Sequence, residues 1–168
     1  TISEAYKVID IGTNGYGDYT KSVILLHEIY NGNLLAQNYA TGTITARRGH
    51  EGAYLRANIV HVNTASAYNG ISGAIESIDN NLAWQLRTCI YNNKKYLALE
   101  VPYAAAFHDL GFEFIGWTLS SGENMKCVSY EVNGQPVNQA LISNIQDYVP
   151  NMTETHSVSS FNILGNVG

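Results

Sequence analysis

Charge is scarce in this chain. Asp, Glu, Lys and Arg make up 14% of its 168 residues, where an average soluble domain carries roughly 25%. Arg47-Arg48 is the one pair of adjacent arginines and Lys94-Lys95 the one pair of adjacent lysines. With a net charge of −5 and no basic stripe, nucleic acid is excluded as a partner. Long apolar runs are missing as well. None approaches the roughly 20 residues that a membrane-spanning helix needs, so no membrane insertion is expected. No charged-then-apolar leader opens the chain, which starts at Thr1-Ile2-Ser3 without Met and reads as a fragment or a processed product. Cys89 and Cys127 are the only cysteines, too few for a disulfide framework or a four-thiolate zinc site. Both lie in strand-like apolar runs, where a buried free thiol is the ordinary state, and a single bridge between neighbouring strands is the alternative. The prolines number three (Pro102, Pro136 and Pro150), which leaves strand interiors largely free of them.

What is present is β-forming. Val, Ile, Thr and Tyr dominate between the turns, Tyr occurs 12 times, and such side chains suit a pleated, half-buried surface. Asn-Gly, which favours the positive φ of tight hairpin turns, stands at 14–15, 31–32, 69–70 and 133–134. Strands are predicted over 6–11, 19–30, 34–46, 54–63, 74–78 (weakly), 83–91, 95–101, 111–119 and 125–132. In 54–63, Leu55, Ala57, Ile59 and His61 share one face, and Arg56, Asn58, Val60 and Val62 the other. Asn92-Asn93 makes the clearest hairpin. Over 138–148, Leu141, Ile142, Ile145 and Tyr148 recur at helical spacing behind a capping Asn138, so that a short C-terminal helix and a strand are both open. The expectation is therefore all-β, an antiparallel β-sandwich or barrel-like module. It divides into a head over 1–150 and an extended Ser/Thr/Asn-rich tail over 151–168.

Chemical motifs are weak. Val8-Ile9-Asp10-Ile11-Gly12-Thr13-Asn14-Gly15 resembles the first phosphate loop of the actin and sugar-kinase superfamily. That fold needs two α/β lobes, so a strand entering a Gly/Asn loop is the better reading. His27-Glu28, His50-Glu51 and His108-Asp109 pair a base with an acid, but neighbours on a strand point to opposite faces. His61 reads as a packed or hydrogen-bonded strand residue. Ser120-Ser121-Gly122 lacks the nucleophile elbow, and no carboxylate pair suited to glycoside cleavage stands out. Asn151-Met152-Thr153 is a formal glycosylation sequon. No catalytic residue, metal ligand or cofactor is assigned, and the chain is expected to be non-catalytic. The candidate contact residues are Tyr16 and Tyr68 beside Gly/Asn turns, Asn69, and the Arg47-Arg48 pair, which suits an anionic ligand or a subunit interface. Trp84 and Trp117 fall inside strand patterns and are expected in the core.

Three stretches have a familiar cast. One runs from Tyr39-Ala40-Thr41-Gly42 through Arg47-Arg48-Gly49 to Val62-Asn63-Thr64-Ala65-Ser66-Ala67-Tyr68-Asn69. The second joins Trp84-Gln85-Leu86-Arg87-Thr88-Cys89-Ile90-Tyr91 to Lys95-Tyr96-Leu97-Ala98-Leu99, and the third is Phe114-Ile115-Gly116-Trp117. Together they resemble the distal β-rich receptor-binding heads of tailed-bacteriophage tail fibres, over residues 5–150. The resemblance implies a virion location, a homotrimer about a threefold axis, and attachment to a bacterial surface polysaccharide or outer-membrane protein. Receptor contacts in that family lie in variable loops, so no binding residue carries over by match. Two other readings stay open: a polysaccharide-degrading tailspike fragment, and a complement- or tumour-necrosis-factor-like trimeric ligand domain.

Overall fold

Alternating apolar residues commit most of the chain to strands. A computed structural model describes residues 6–13, 19–47, 51, 57–78, 84–101, 104–105 and 110–148. In chain order the strands are β1 (Lys7–Gly12), β2 (Tyr19–Glu28), β3 (Leu35–Arg47), β4 (Ala57–Tyr68), β5 (Gly70–Ser77), β6 (Gln85–Tyr91), β7 (Lys94–Glu100), β8 (Ala104–Ala105), β9 (Gly111–Leu119), β10 (Lys126–Val132), β11 (Gln135–Pro136) and β12 (Ile142–Asp147). All pairings are antiparallel. The first sheet has the order β1-β9-β3-β4-β5. The second runs β11-β10-β2-β7-β6-β12, with β8 on the end of β2. The all-β, antiparallel expectation holds.

The two sheets face each other across a core. Ile24, Leu26, Leu86, Leu97 and Leu99 of the second sheet meet Ile44, Val60, Val62, Phe112 and Phe114 of the first. Each such buried side chain contributes roughly 1.5–3 kcal/mol of transfer free energy. The second sheet also buries its other face. It curls into a half-barrel around Val23, Leu25, Cys89, Tyr91, Tyr96, Ala98, Val128 and Ile142. This double burial explains the unbroken apolar run Val23–Leu26 in β2, where every residue is fully buried. It also decides the cysteines. Cys89 lies inside the half-barrel and Cys127 packs towards the inter-sheet core. β2 and β7 separate their strands, so no bridge joins them and both thiols are free. Burial pushes both thiols up to about 12, which keeps them protonated and unreactive.

One open alternative is settled, as a strand and not a helix, and two expectations are corrected. Residues 138–148 form no helix. Asn138 takes a left-handed φ of 57° and its carbonyl accepts from the Leu141 and Ile142 amides in a turn, after which β12 pairs with β6. A bulge between Ser143 and Gln146, with Asn144 at φ 55°, brings Ile142 and Ile145 to the same side three residues apart. The bulge thus produced the helical spacing in the sequence. Trp117 is not core. Phe112, Phe114 and Thr118 take the inward parity of β9, and Trp117 stands 48% exposed on the outer face. Trp84 is buried as expected. Asn31-Gly32-Asn33 does not close a hairpin either, because residues 29–34 carry the chain from the second sheet to the first.

Candidate functional site

Antiparallel order sends four connections to one end of the sandwich: the β2–β3 loop, the β4–β5 turn, the β6–β7 turn and the β9–β10 loop. Register ties them together, since Leu35 pairs with Tyr68, Glu28 with Tyr96, and Tyr91 with Lys94. The β6–β7 turn is Asn92-Asn93, with φ of 50° and 69°, the conformation that a two-residue hairpin of this hand demands. The β9–β10 loop is stitched down by its own polar atoms. The Ser121 amide donates to Asn38 Oδ1 at 2.7 Å and its hydroxyl to Glu28 Oε1 at 2.8 Å. The Glu123 amide donates to the Tyr96 hydroxyl at 2.9 Å, and the Ser120 hydroxyl to the Glu123 carbonyl at 2.7 Å. The serines that lacked a nucleophile context thus act as loop braces.

Between the β2–β3 loop and the β6–β7 turn lies a polar cleft of about 270 Å³. Glu28, Asn31, Asn33, Asn93 and Lys94 line it, over Ile29 and Leu35. The Ile29 amide donates to the Lys95 carbonyl at 2.9 Å and so ties the loop to β7. Tyr68, opposite Leu35, is 70% exposed and holds φ 55°, an unfavourable region for a bulky residue. Tyr68 and Asn69, singled out in the sequence, therefore stand at this tip. The cleft's own residues were missed. Asn31-Gly32-Asn33 and Asn92-Asn93 were visible as turn signals, but nothing local says that the two turns converge.

Arg47 is at the opposite end of the 13-residue β3, which at about 3.3 Å per residue puts it roughly 40 Å from the tip. It lines a cleft of about 300 Å³ with Asp10, Glu113 and Leu110. Asp10 and Glu113 are direct partners across β1 and β9. Asp10 Oδ1 also accepts from the Gly12 amide at 2.9 Å, so the Asp-Ile-Gly stretch is a carboxylate-capped bulge at the end of β1, and Asn14-Gly15 lie outside the described residues. Arg47 thus shares no site with Tyr68 and Asn69. Tyr16 and Arg48 lie outside the described residues, as do His50 and His108 and the segment 149–168.

The outer face of the first sheet carries a third feature. Tyr6 (55% exposed), just before β1, lies beside Val8 (61%) of β1 and Ile115 (37%) and Trp117 (48%) of β9. Tyr6 and Trp117 meet edge to face at 5.1 Å. Beyond them the face turns polar, with Thr41 bonded to Asn63 and the Thr43 hydroxyl 2.8 Å from His61 Nδ1.

The ionisable groups inside the fold are paired. Glu100, buried in the half-barrel, has both carboxylate oxygens 2.8 Å from the Tyr130 hydroxyl, and it accepts from Arg87 Nε at 3.2 Å. Arg87 also bridges to Asp147. Burial raises Glu100 above the usual carboxylate range, although Tyr130 and Arg87 pull the other way. Fully buried His27 reaches Thr64 Oγ1 at 2.9 Å and the Glu28 carbonyl at 3.2 Å. A carbonyl can only accept, so Nδ1 holds the proton and Nε2 accepts from Thr64. Among the described residues no group of three or more His, Cys, Asp or Glu side chains could hold a metal. No family model, curated protein or solved structure matches the chain.

Proposed function

We propose that this chain is the attachment head of a bacteriophage tail fibre, a homotrimer that contacts a bacterial surface polysaccharide or protein through one end. The observation that carries this reading is the separation of two unlike surfaces on one sandwich. The side presents a contiguous apolar patch of Tyr6, Val8, Ile115 and Trp117, and such patches mark surfaces that meet another protein. The tip gathers Tyr and Asn on short, braced loops, a composition suited to broad contacts at low entropic cost. Copies packing through the side would bring several tips to one front. Light scattering on the purified chain tests the assembly, with three times 18.4 kDa expected. Sedimentation of the chain with envelopes from a panel of bacteria tests attachment. A monomer that sediments with no envelope would overturn the proposal.

One observation favours a second reading. Asp10 and Glu113 are cross-strand partners that line one cleft with Arg47, and glycoside cleavage uses two carboxyl groups. Release of reducing ends from capsule or O-antigen, abolished in Glu113→Gln, would establish it.

A further inference from the structure

We infer that the tip cleft is a subsite for one uncharged sugar ring, an inference that rests on the attachment reading and names the chemistry that the tip recognises. The donor and acceptor inventory carries the argument. Asn31, Asn33 and Asn93 each offer an amide N–H₂ and a carbonyl oxygen, and none of these side chains is hydrogen-bonded among the described residues. A ring bearing vicinal hydroxyls needs donors and acceptors interleaved in this way. A phosphate or sulfate would use only donors and a metal ion only acceptors, so either would leave half of each amide unspent. Charge points the same way. Glu28 and Lys94 contribute one charge of each sign, so an anion meets Glu28 and a cation meets Lys94.

Shape and rigidity agree. About 270 Å³ falls just under the roughly 300 Å³ at which pockets for larger ligands begin, room for a single ring and not an extended chain. Ile29 and Leu35 supply an apolar floor for the C–H face of a pyranose. Tyr68, the register partner of Leu35, is exposed at the same end of the sandwich. The backbone that carries these groups is held in place beforehand, while the three Asn side chains are exposed and free to turn towards a ligand. The Asn93 main chain is set by its left-handed turn, Glu28 by the Ser121 hydroxyl, and the loop by the Ile29–Lys95 bond, so the ordering lost on binding is confined to side-chain rotamers.

The test is an NMR titration of the intact chain with galactose, glucose, rhamnose and N-acetylglucosamine. Glucuronic acid and inorganic phosphate serve as charged comparisons. At least one neutral sugar is expected to shift the Asn31, Asn33 and Asn93 side-chain amide signals saturably at millimolar concentration. Asn93→Gly keeps the turn conformation and, with Asn33→Ala, should weaken that binding at least tenfold. Glu76→Gln, on the edge strand β5 and away from the cleft, should leave it unchanged. The inference fails if no neutral sugar shifts these signals, if the charged ligands saturate them and the neutral ones do not, or if both Asn variants bind as well as the parent. Envelope sedimentation separates this failure from failure of the attachment reading. Variants that still sediment like the parent sink the sugar subsite alone, whereas sugar binding without envelope binding sinks attachment alone.

Discussion

At the residue scale, His27 makes stability depend on pH. Burial holds its folded pKa at about 4, against 6.5 for the free side chain. A depressed folded pKa means that the contribution is present above about 6.5 and is lost as pH falls through about 4. The gap is worth about 3 kcal/mol when fully developed. Glu100 acts in the opposite sense. Its raised folded pKa makes its contribution full in acid and lost as pH rises through that value, so it offsets part of the His27 loss at the acid end. Urea unfolding at several pH values should show stability declining between pH 6.5 and 4, and His27→Gln should flatten that decline. An unchanged slope in the variant would show that another group titrates. Tyr68 is the second test at this scale. Left-handed φ costs an L-residue roughly 1–2 kcal/mol, and Asn tolerates it best after Gly. Tyr68→Asn should therefore raise stability by about 0.5–1 kcal/mol while weakening envelope binding, the trade expected of strain kept for contact.

At the element scale, the β3–β9 pairing depends on two glycines. Gly42 and Gly116 face each other in register. A Cβ on Gly42 would collide with the Ile115 carbonyl oxygen, and one on Gly116 with that of Thr41. Both obstacles are backbone, so the strands themselves must shift. Gly42→Ala should cost at least about 2 kcal/mol in denaturant unfolding. Gly32→Ala, with open space around it, should cost only its left-handed φ. These strands also show what could be read beforehand. The hairpins at Asn92-Asn93 and Asn133-Gly134 were legible because positive φ is written into the residue type. The half-barrel was not. A run such as Val23–Leu26 announces burial on both faces without saying what covers the second one. Trp117 was recoverable, since Phe112 and Phe114 fix the inward parity of β9 and push it outward. β5 was shortened to 74–78 because Gly70, Ser72 and Gly73 carry no β signal, though an edge strand tolerates them. The cleft stayed hidden for a topological reason: Asn31 and Asn93 meet only because β2 and β7 are neighbours, which no local pattern states.

At the scale of the whole molecule, a cleft that takes one sugar ring binds weakly, and weak sites attach a particle only when several act together. If three heads share one front, the second and third contacts become intramolecular, and avidity rises by roughly 10²–10⁴ with no new contact. The proposed trimer and the proposed subsite therefore make a joint prediction that neither makes alone. Trp117→Ser combined with Ile115→Lys changes only the outer face of the first sheet, away from both cores. The double variant should keep its melting temperature within a few degrees and run as a monomer in light scattering. Its sugar titration should match the parent, because the cleft residues are untouched. Its retention on bacterial envelopes should nevertheless fall by about a hundredfold. A monomeric variant that still adhered like the parent would mean that a single tip suffices for attachment. A variant that remained trimeric would move the assembly surface away from Tyr6, Val8, Ile115 and Trp117.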